Sequence, residues 1–264
     1  MIKNAFTIVE LSIALIIISL LATAVLAGSS LIENAKINKM ISDLTAIEKS
    51  YQTFNVTYNA IPGDFANAYS IWSGNCATTA AICNGNGDGK IQSYYAGVSS
   101  SMNDDEARKA WRHMELAGVT TFVIYGPTFP SAWNNFYGTD TDIPRGPMSK
   151  SGYLLLYGND QLRTQNEAEP VGGIYSPTTD NIIYLGSPVA GYLVANSALK
   201  PIQAMNIDSK VDDGLISTGN GASTGIFRAF DGLDVASAGN CATGDTYNLL
   251  FTATGSCVVG MAIH

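Results

Sequence analysis

The chain has 264 residues, 46% of them hydrophobic and 14% charged, with a formal charge of −8. That balance argues against nonspecific nucleic-acid binding, which needs basic patches, so no nucleic-acid partner is expected. With an apolar N-terminal stretch set aside, about 200 residues remain, enough for one sizeable core.

The N-terminal stretch dominates the reading. From Leu11 to Ile32 there is no charge over about 22 positions, enough to cross a hydrocarbon core as a helix. A short leader with Lys3 precedes it, which orients the N-terminus to the cytoplasm and the bulk outside. A cleaved secretory signal is an alternative, with small-residue sites around Ala22, Ala24 and Ala27. A plain anchor is another. It gives no reason for Glu10 at the edge of the apolar run, since an acid in lipid is costly and needs a cationic partner.

Ala5-Phe6-Thr7-Ile8-Val9-Glu10-Leu11, followed by an uninterrupted apolar run, resembles the N-terminal signature of type IV pilins and type II secretion pseudopilins. The resemblance implies a leader, residues 1–5, cut between Ala5 and Phe6 by a prepilin peptidase. It implies methylation of the new N-terminus at Phe6 and retention of Glu10 to pair with a neighbouring subunit's ammonium during assembly. The family usually has Gly before the cut, where this chain has Ala5. The implied partners are copies of the chain, other pilins or pseudopilins, an inner-membrane assembly platform and membrane lipid. The implied location is the inner membrane, single-pass, before assembly and a periplasmic or cell-surface filament after it.

Beyond Ile32 the helical pattern continues. Ile37, Met40, Ile41, Leu44, Ile47, Tyr51, Phe54 and Tyr58 form a stripe, and no Pro occurs before Pro62. The spacing predicts one helix over 6–58, about 80 Å long, half anchor and half spine. A break near Gly28-Ser29-Ser30 is the alternative. Ile61-Pro62-Gly63-Asp64 ends the helix, and 59–264 forms the globular domain. Short helices are expected near Phe65–Trp72, from Asn103 to Leu116, and from about Lys200 to Val211, the last capped by Ser197. Strands are expected at Tyr153–Tyr157 and Ile182–Leu185, with Gly191–Val194 and Ile226–Phe230 as weaker candidates. The fold class is α+β: a long helix on a small antiparallel sheet with loop-rich insertions.

The four cysteines allow three connectivities, of which Cys76–Cys83 with Cys241–Cys257 is the most economical. The Cys241–Cys257 loop also resembles the C-terminal disulfide region of many pilins. Asn84-x-Asn86-x-Asp88-Gly89 is similar to the start of a calcium-binding loop, but Tyr95 stands where a closing Glu is expected. Asp104, Asp105 or Glu106 could complete a site there, and a glycine-rich Asx turn is the plain alternative. Asp208, Asp212 and Asp213 form a second acidic cluster at a helix C-terminus, where the dipole disfavours anions; calcium or Lys210 could offset it. Calcium is the one cofactor the residues raise. His113 reads as a surface residue, and with His264 far away no catalytic triad or paired-histidine metal site can be built, so no enzyme activity is expected. The expected function is a structural filament subunit. The alternative is a minor pilin acting as an adhesin or substrate-binding module at a filament tip.

Overall fold

A computed structural model describes residues 7–92, 105–122, 143–158, 180–189, 192–212, 225–231, 240–243, 246–251 and 255–263. The sequence forms an α+β fold built on one helix, α1 (Ile8–Tyr58), which runs through Gly28 without a break. Its start is fixed by a capping box. Thr7 Oγ1 accepts from the Glu10 N–H at 3.2 Å, and Glu10 Oε2 accepts from the Thr7 N–H at 2.9 Å. The polar residues of the apolar half bond back to their own helix, as Ser12 to the Ile8 carbonyl and Thr23 to the Leu20 carbonyl. This satisfies their hydroxyls without water. The helix is long and apolar enough to cross a membrane, with a mean hydropathy of 2.5 over its most apolar window, none of which is buried.

The first buried side chain of α1 is Ile37. From there Met40, Leu44, Ile47, Tyr51 and Phe54 lie inside the core. Each buried side chain of this kind contributes roughly 2 kcal/mol of hydrophobic stabilisation before entropy is counted.

The stripe packs on an antiparallel sheet of β1 (Gly152–Tyr157), β2 (Asn181–Val189), β7 (Cys257–Ala262) and β4 (Phe227–Asp231), in that spatial order. A further strand, β3 (Tyr192–Asn196), pairs with the last residues of β2. Tyr153 stands opposite Leu185 and Leu155 opposite Ile183, so these four share one face. That face meets the spine. Tyr153 donates its hydroxyl to Asp43 at 3.1 Å, and Asn181 donates to the Tyr51 hydroxyl at 3.0 Å. Asp43, buried, also pairs with Lys39 one turn earlier. Burial, with the Asp43 charge beside it, pushes the Tyr153 hydroxyl far above its ordinary pKa, so it stays a donor.

Around this frame lie α2 (Ala68–Trp72), α3 (Ala80–Cys83), α4 (Glu106–Leu116) and α5 (Pro201–Val211), with a small hairpin of β5 (Ala242–Thr243) and β6 (Thr246–Tyr247). The cap differs from expectation at α5. Asp105 caps α4 through the Arg108 N–H, and Lys200, not Ser197, occupies the N-cap of α5. Pro201 follows at the first turn, where its missing N–H costs nothing. The disulfides are Cys76–Cys83 and Cys241–Cys257.

Candidate functional site

Among the described residues, a group of converging carboxylates lies at the end of the spine furthest from the apolar segment. Asn59 closes α1 in the left-handed region, φ 48°. Gly63 then turns at φ 91°, where a Cβ would lie 2.4 Å from the Glu106 carbonyl, so only glycine fits. The turn aims Asp64 into the loop of residues 84–92. Its carboxylate accepts from the N–H groups of Gly87, Asp88 (3.2 Å) and Gly89 (2.7 Å). At the start of α4, Glu106 accepts from the Asn86 N–H at 2.9 Å and the Gln92 N–H at 3.0 Å. The loop is thus wound around two carboxylates supplied by other segments. Gly85 is equally obligatory, since a Cβ there would lie 2.3 Å from the Asp64 Cα.

The carboxylate oxygens of Asp64, Asp88 and Glu106 lie within 4.8 Å of one another. Burial pushes Glu106 up to about 7, aided by the Asp64 charge and opposed by its two N–H donors and Lys109. Asp64 is also raised, chiefly by burial. Lys109 is buried beside them and donates to the Asn84 carbonyl at 2.6 Å.

These positions test the calcium expectation by donor chemistry. Asn84 Oδ1 accepts from the Tyr69 N–H at 2.7 Å, and Asn86 Oδ1 accepts from the Asp88 N–H at 2.8 Å. Asp88 Oδ1 accepts from the Lys90 N–H at 3.0 Å. Asn86 and Asp88 therefore make local turns, while Asn84 ties the loop to α2. The oxygens that converge are those of Asp64, Asp88 and Glu106, a hard donor set of the kind calcium takes. Asp64 was hidden from sequence reading inside a helix-breaking Pro-Gly-Asp run, where those residue types already have a structural explanation.

Of the second acidic cluster, the two described members, Asp208 and Asp212, meet different partners. Asp212 Oδ2 accepts from the N–H groups of Ile226 and Phe227, at 2.5 and 3.3 Å. Asp208 is fully buried and accepts from the Tyr247 hydroxyl at 2.8 Å. Lys210 reaches Asn38 on α1, at 3.0 Å. Each acid ties α5 to a different neighbour: Asp208 lies within the helix, whereas Asp212 is its C-cap and has left the helical conformation. Asp213 lies outside the described residues, as do Ala5, Phe6 and Asp104. Glu10 is placed in its own helix cap.

His113 is not on the surface. It is fully buried, its ring parallel to Phe54 within 10° at a centroid distance of 6.1 Å, and close to Phe65 and Trp72. Nδ1 accepts from the Gly63 N–H at 2.9 Å, which leaves Nε2–H to donate to the Cys83 carbonyl, also at 2.9 Å. Burial depresses its pKa to about 3, so the ring is neutral. One imidazole thereby joins α4, the turn after the spine and the Cys76–Cys83 loop. Its cysteine neighbours are held in that disulfide and offer no thiolate to a metal.

A cleft with a cavity volume of about 620 Å³ opens beside this region. Its walls include Asn55, Tyr58, Asn59, Asp64, Phe65 and Asn67, with no cationic side chain among them. Side-chain amides beside aromatic rings, with acceptors in excess, suit a neutral polyhydroxylated or hydrogen-bond-donating ligand better than an anion.

No family model, no curated protein and no solved structure matches this chain.

Proposed function

We propose that the chain is a structural subunit of a type IV pilus-like or type II secretion-like filament. The observation that carries this reading is α1. Its first half exposes apolar side chains on all sides, and its second half is the core spine of a disulfide-bonded α+β domain. Such a helix has its apolar half covered by lipid in one state and by neighbouring helices in the other. Under this reading Ala5–Phe6 is the processing site, Phe6 carries the methyl group, and the Glu10 carboxylate exchanges its own-helix cap for a neighbour's ammonium during assembly. The membrane-bound precursor faces the cytoplasm with its N-terminus, and the globular domain becomes the filament's outer surface. Calcium, if taken up, would be held by Asp64, Asp88 and Glu106 and would neutralise their mutual repulsion.

The experiment is intact mass and N-terminal sequencing of the protein from membranes and from sheared surface filaments. A chain beginning at methylated Phe6 in the sheared fraction supports the reading. A chain beginning at Met1 in both fractions, or beyond Ala24, overturns it.

The cleft at the end of α1 favours a second reading, a minor subunit that presents a binding site at a filament tip. That cleft lies far from the apolar segment, where a tip ligand would be met. Immunogold labelling confined to filament ends would support it, and uniform labelling along the shaft would remove it.

A further inference from the structure

Outside Ile8–Ile32, the exposed large apolar side chains among the described residues are Val56, Ile71, Ile202, Leu249 and Leu250. Val56 and Ile71 belong to the far end of the spine, where Trp72 packs 6.2 Å from Phe54. The other three collect at the opposite end, and a chain of contacts shows why. Gln203 donates to Glu33 at 2.6 Å and Lys210 to Asn38 at 3.0 Å, so α5 climbs alongside α1 with its first turn level with Glu33. Glu33 directly follows the apolar run. Just before α5, Leu199 bridges to Cys257, whose disulfide partner is Cys241. The Cys241 carbonyl accepts from the Asn248 N–H at 2.9 Å, which hangs the turn Asn248–Phe251 from the same edge. Leu250 at its tip is 94% exposed, Leu249 48% and Ile202 41%.

We propose that this end of the globular domain, formed by Lys200–Ile202 and the Asn248–Phe251 turn, rests on the lipid headgroup region while the subunit is membrane-bound. The proposal depends on the first half of α1 spanning the bilayer. Given that span, position follows from geometry. Leu31 and Ile32 are exposed at the last apolar turn of α1, and the first turn of α5 is tied one residue further on. Ile202 therefore lies beside the last apolar turn of α1. The turn carrying Leu249 and Leu250, tied through Cys241–Cys257 to Leu199 just before α5 and through Tyr247 to Asp208, reaches toward the same interface, where side chains bury about 5–10 Å. Lys200 is the N-cap of α5 and Lys36 lies one turn beyond Glu33 on α1, so two ammonium groups belong to this end of the domain and suit the anionic surface of a bilayer. Lipid is the occupant this placement favours, because the anchor itself delivers the patch to the bilayer.

The test uses full-length chain in phosphatidylcholine–phosphatidylglycerol vesicles, at low protein-to-lipid ratio, with or without bromines on the upper acyl chains. Three variants each add one tryptophan: Leu250→Trp, Val56→Trp at the far end of the spine, about 35 Å up the helix from Glu33, and Leu21→Trp inside the apolar run. The signal of the natural tryptophans is subtracted from unsubstituted chain. The expected result is that brominated lipid quenches most of the added signal at positions 250 and 21 and little at 56. Quenching at 21 with none at 250 overturns the proposal and leaves the anchor standing. A blue-shifted but unquenched signal at 250 means that a second copy covers the patch, which also overturns it. No quenching at 21 refutes the membrane span itself and the proposal with it.

Discussion

Replacing His113 with Phe keeps an aromatic ring against Phe54, Phe65 and Trp72 and removes two hydrogen bonds. The Gly63 N–H and the Cys83 carbonyl, each 2.9 Å from the imidazole, lose their partner in a fully buried place. An orphaned buried group costs about 1–3 kcal/mol, so the variant should lose about 2–5 kcal/mol at neutral pH. The pH dependence gives an independent reading. The folded state holds His113 near 3, against 6.5 for the exposed imidazole, so protonation favours the unfolded chain. The stability that His113 contributes is fully present above pH 6.5 and is lost as pH falls toward 3. At pH 5 the loss amounts to about 2 kcal/mol, from about 1.36 kcal/mol per pH unit. The assay is guanidinium unfolding of the full chain in detergent at pH 7.5 and pH 5, followed by tryptophan fluorescence. Glu106, raised to about 7, gains stability over the same range, so the reading is the difference between the two chains: the variant should begin weaker and lack the His113 loss, its change from pH 7.5 to pH 5 being more favourable by about 2 kcal/mol. A variant within 0.5 kcal/mol of the unsubstituted chain (about the spread of a neutral surface change) that keeps the full pH slope would refute the account of His113.

Asp64→Ala removes the acceptor of three loop N–H groups and should cost about 2–4 kcal/mol. Amide exchange at Gly87, Asp88 and Gly89 should accelerate while exchange in β7 does not, until global unfolding dominates. Gly85→Ala forces a Cβ against the Asp64 backbone and should lower the thermal midpoint by several degrees or prevent accumulation of folded chain, whereas Gly74→Ala, with open space around its Cβ, should not. Tyr153→Phe leaves buried Asp43 without that donor and should cost about 1–3 kcal/mol in the same unfolding assay. Reducing Cys241–Cys257, which closes a separation of 16 residues, should cost about 3 kcal/mol and loosen the turn at Leu250.

The spine was legible because its apolar side chains keep a helical period while polar residues fill the gaps, and the helix of the structure buries Ile37, Met40, Leu44, Ile47, Tyr51 and Phe54 on that stripe. Four strands were legible for a similar reason: runs such as Gly152–Tyr157 are apolar and bounded by turns. The strand between β2 and β4 was not. Cys257–Ala262 is interrupted by Gly260, and its cysteine drew the reading toward a loop. The structure uses that glycine for close packing, since a Cβ there would lie 2.9 Å from the Ile182 side chain. The polar character of α4 misled in the same way. His113 reads as a surface residue, yet it is buried, together with Arg108, Lys109 and Arg112, because loops distant in sequence wrap the helix. Arg112 donates to the Asn75 carbonyl, and Lys109 to that of Asn84. The acids at the end of α5 show the limit of spacing arguments: a separation of four puts two residues on one face only while the helix lasts, and here it ends at Val211, before Asp212.

The unbroken passage of α1 from its apolar half into its core half fixes the globular domain in azimuth as well as in height. A helix advances about 100° and 1.5 Å with each residue. Inserting a single residue between Leu11 and Ile32 would therefore turn the whole domain by about 100° around the rod and raise it by about 1.5 Å, without altering one contact inside the domain. Inserting seven would restore the heading to within about 20° and change mainly the height. Among the described residues the apolar side chains of the anchor are exposed, so anchor and domain are phased to each other through the helix backbone, like two gears keyed on one shaft.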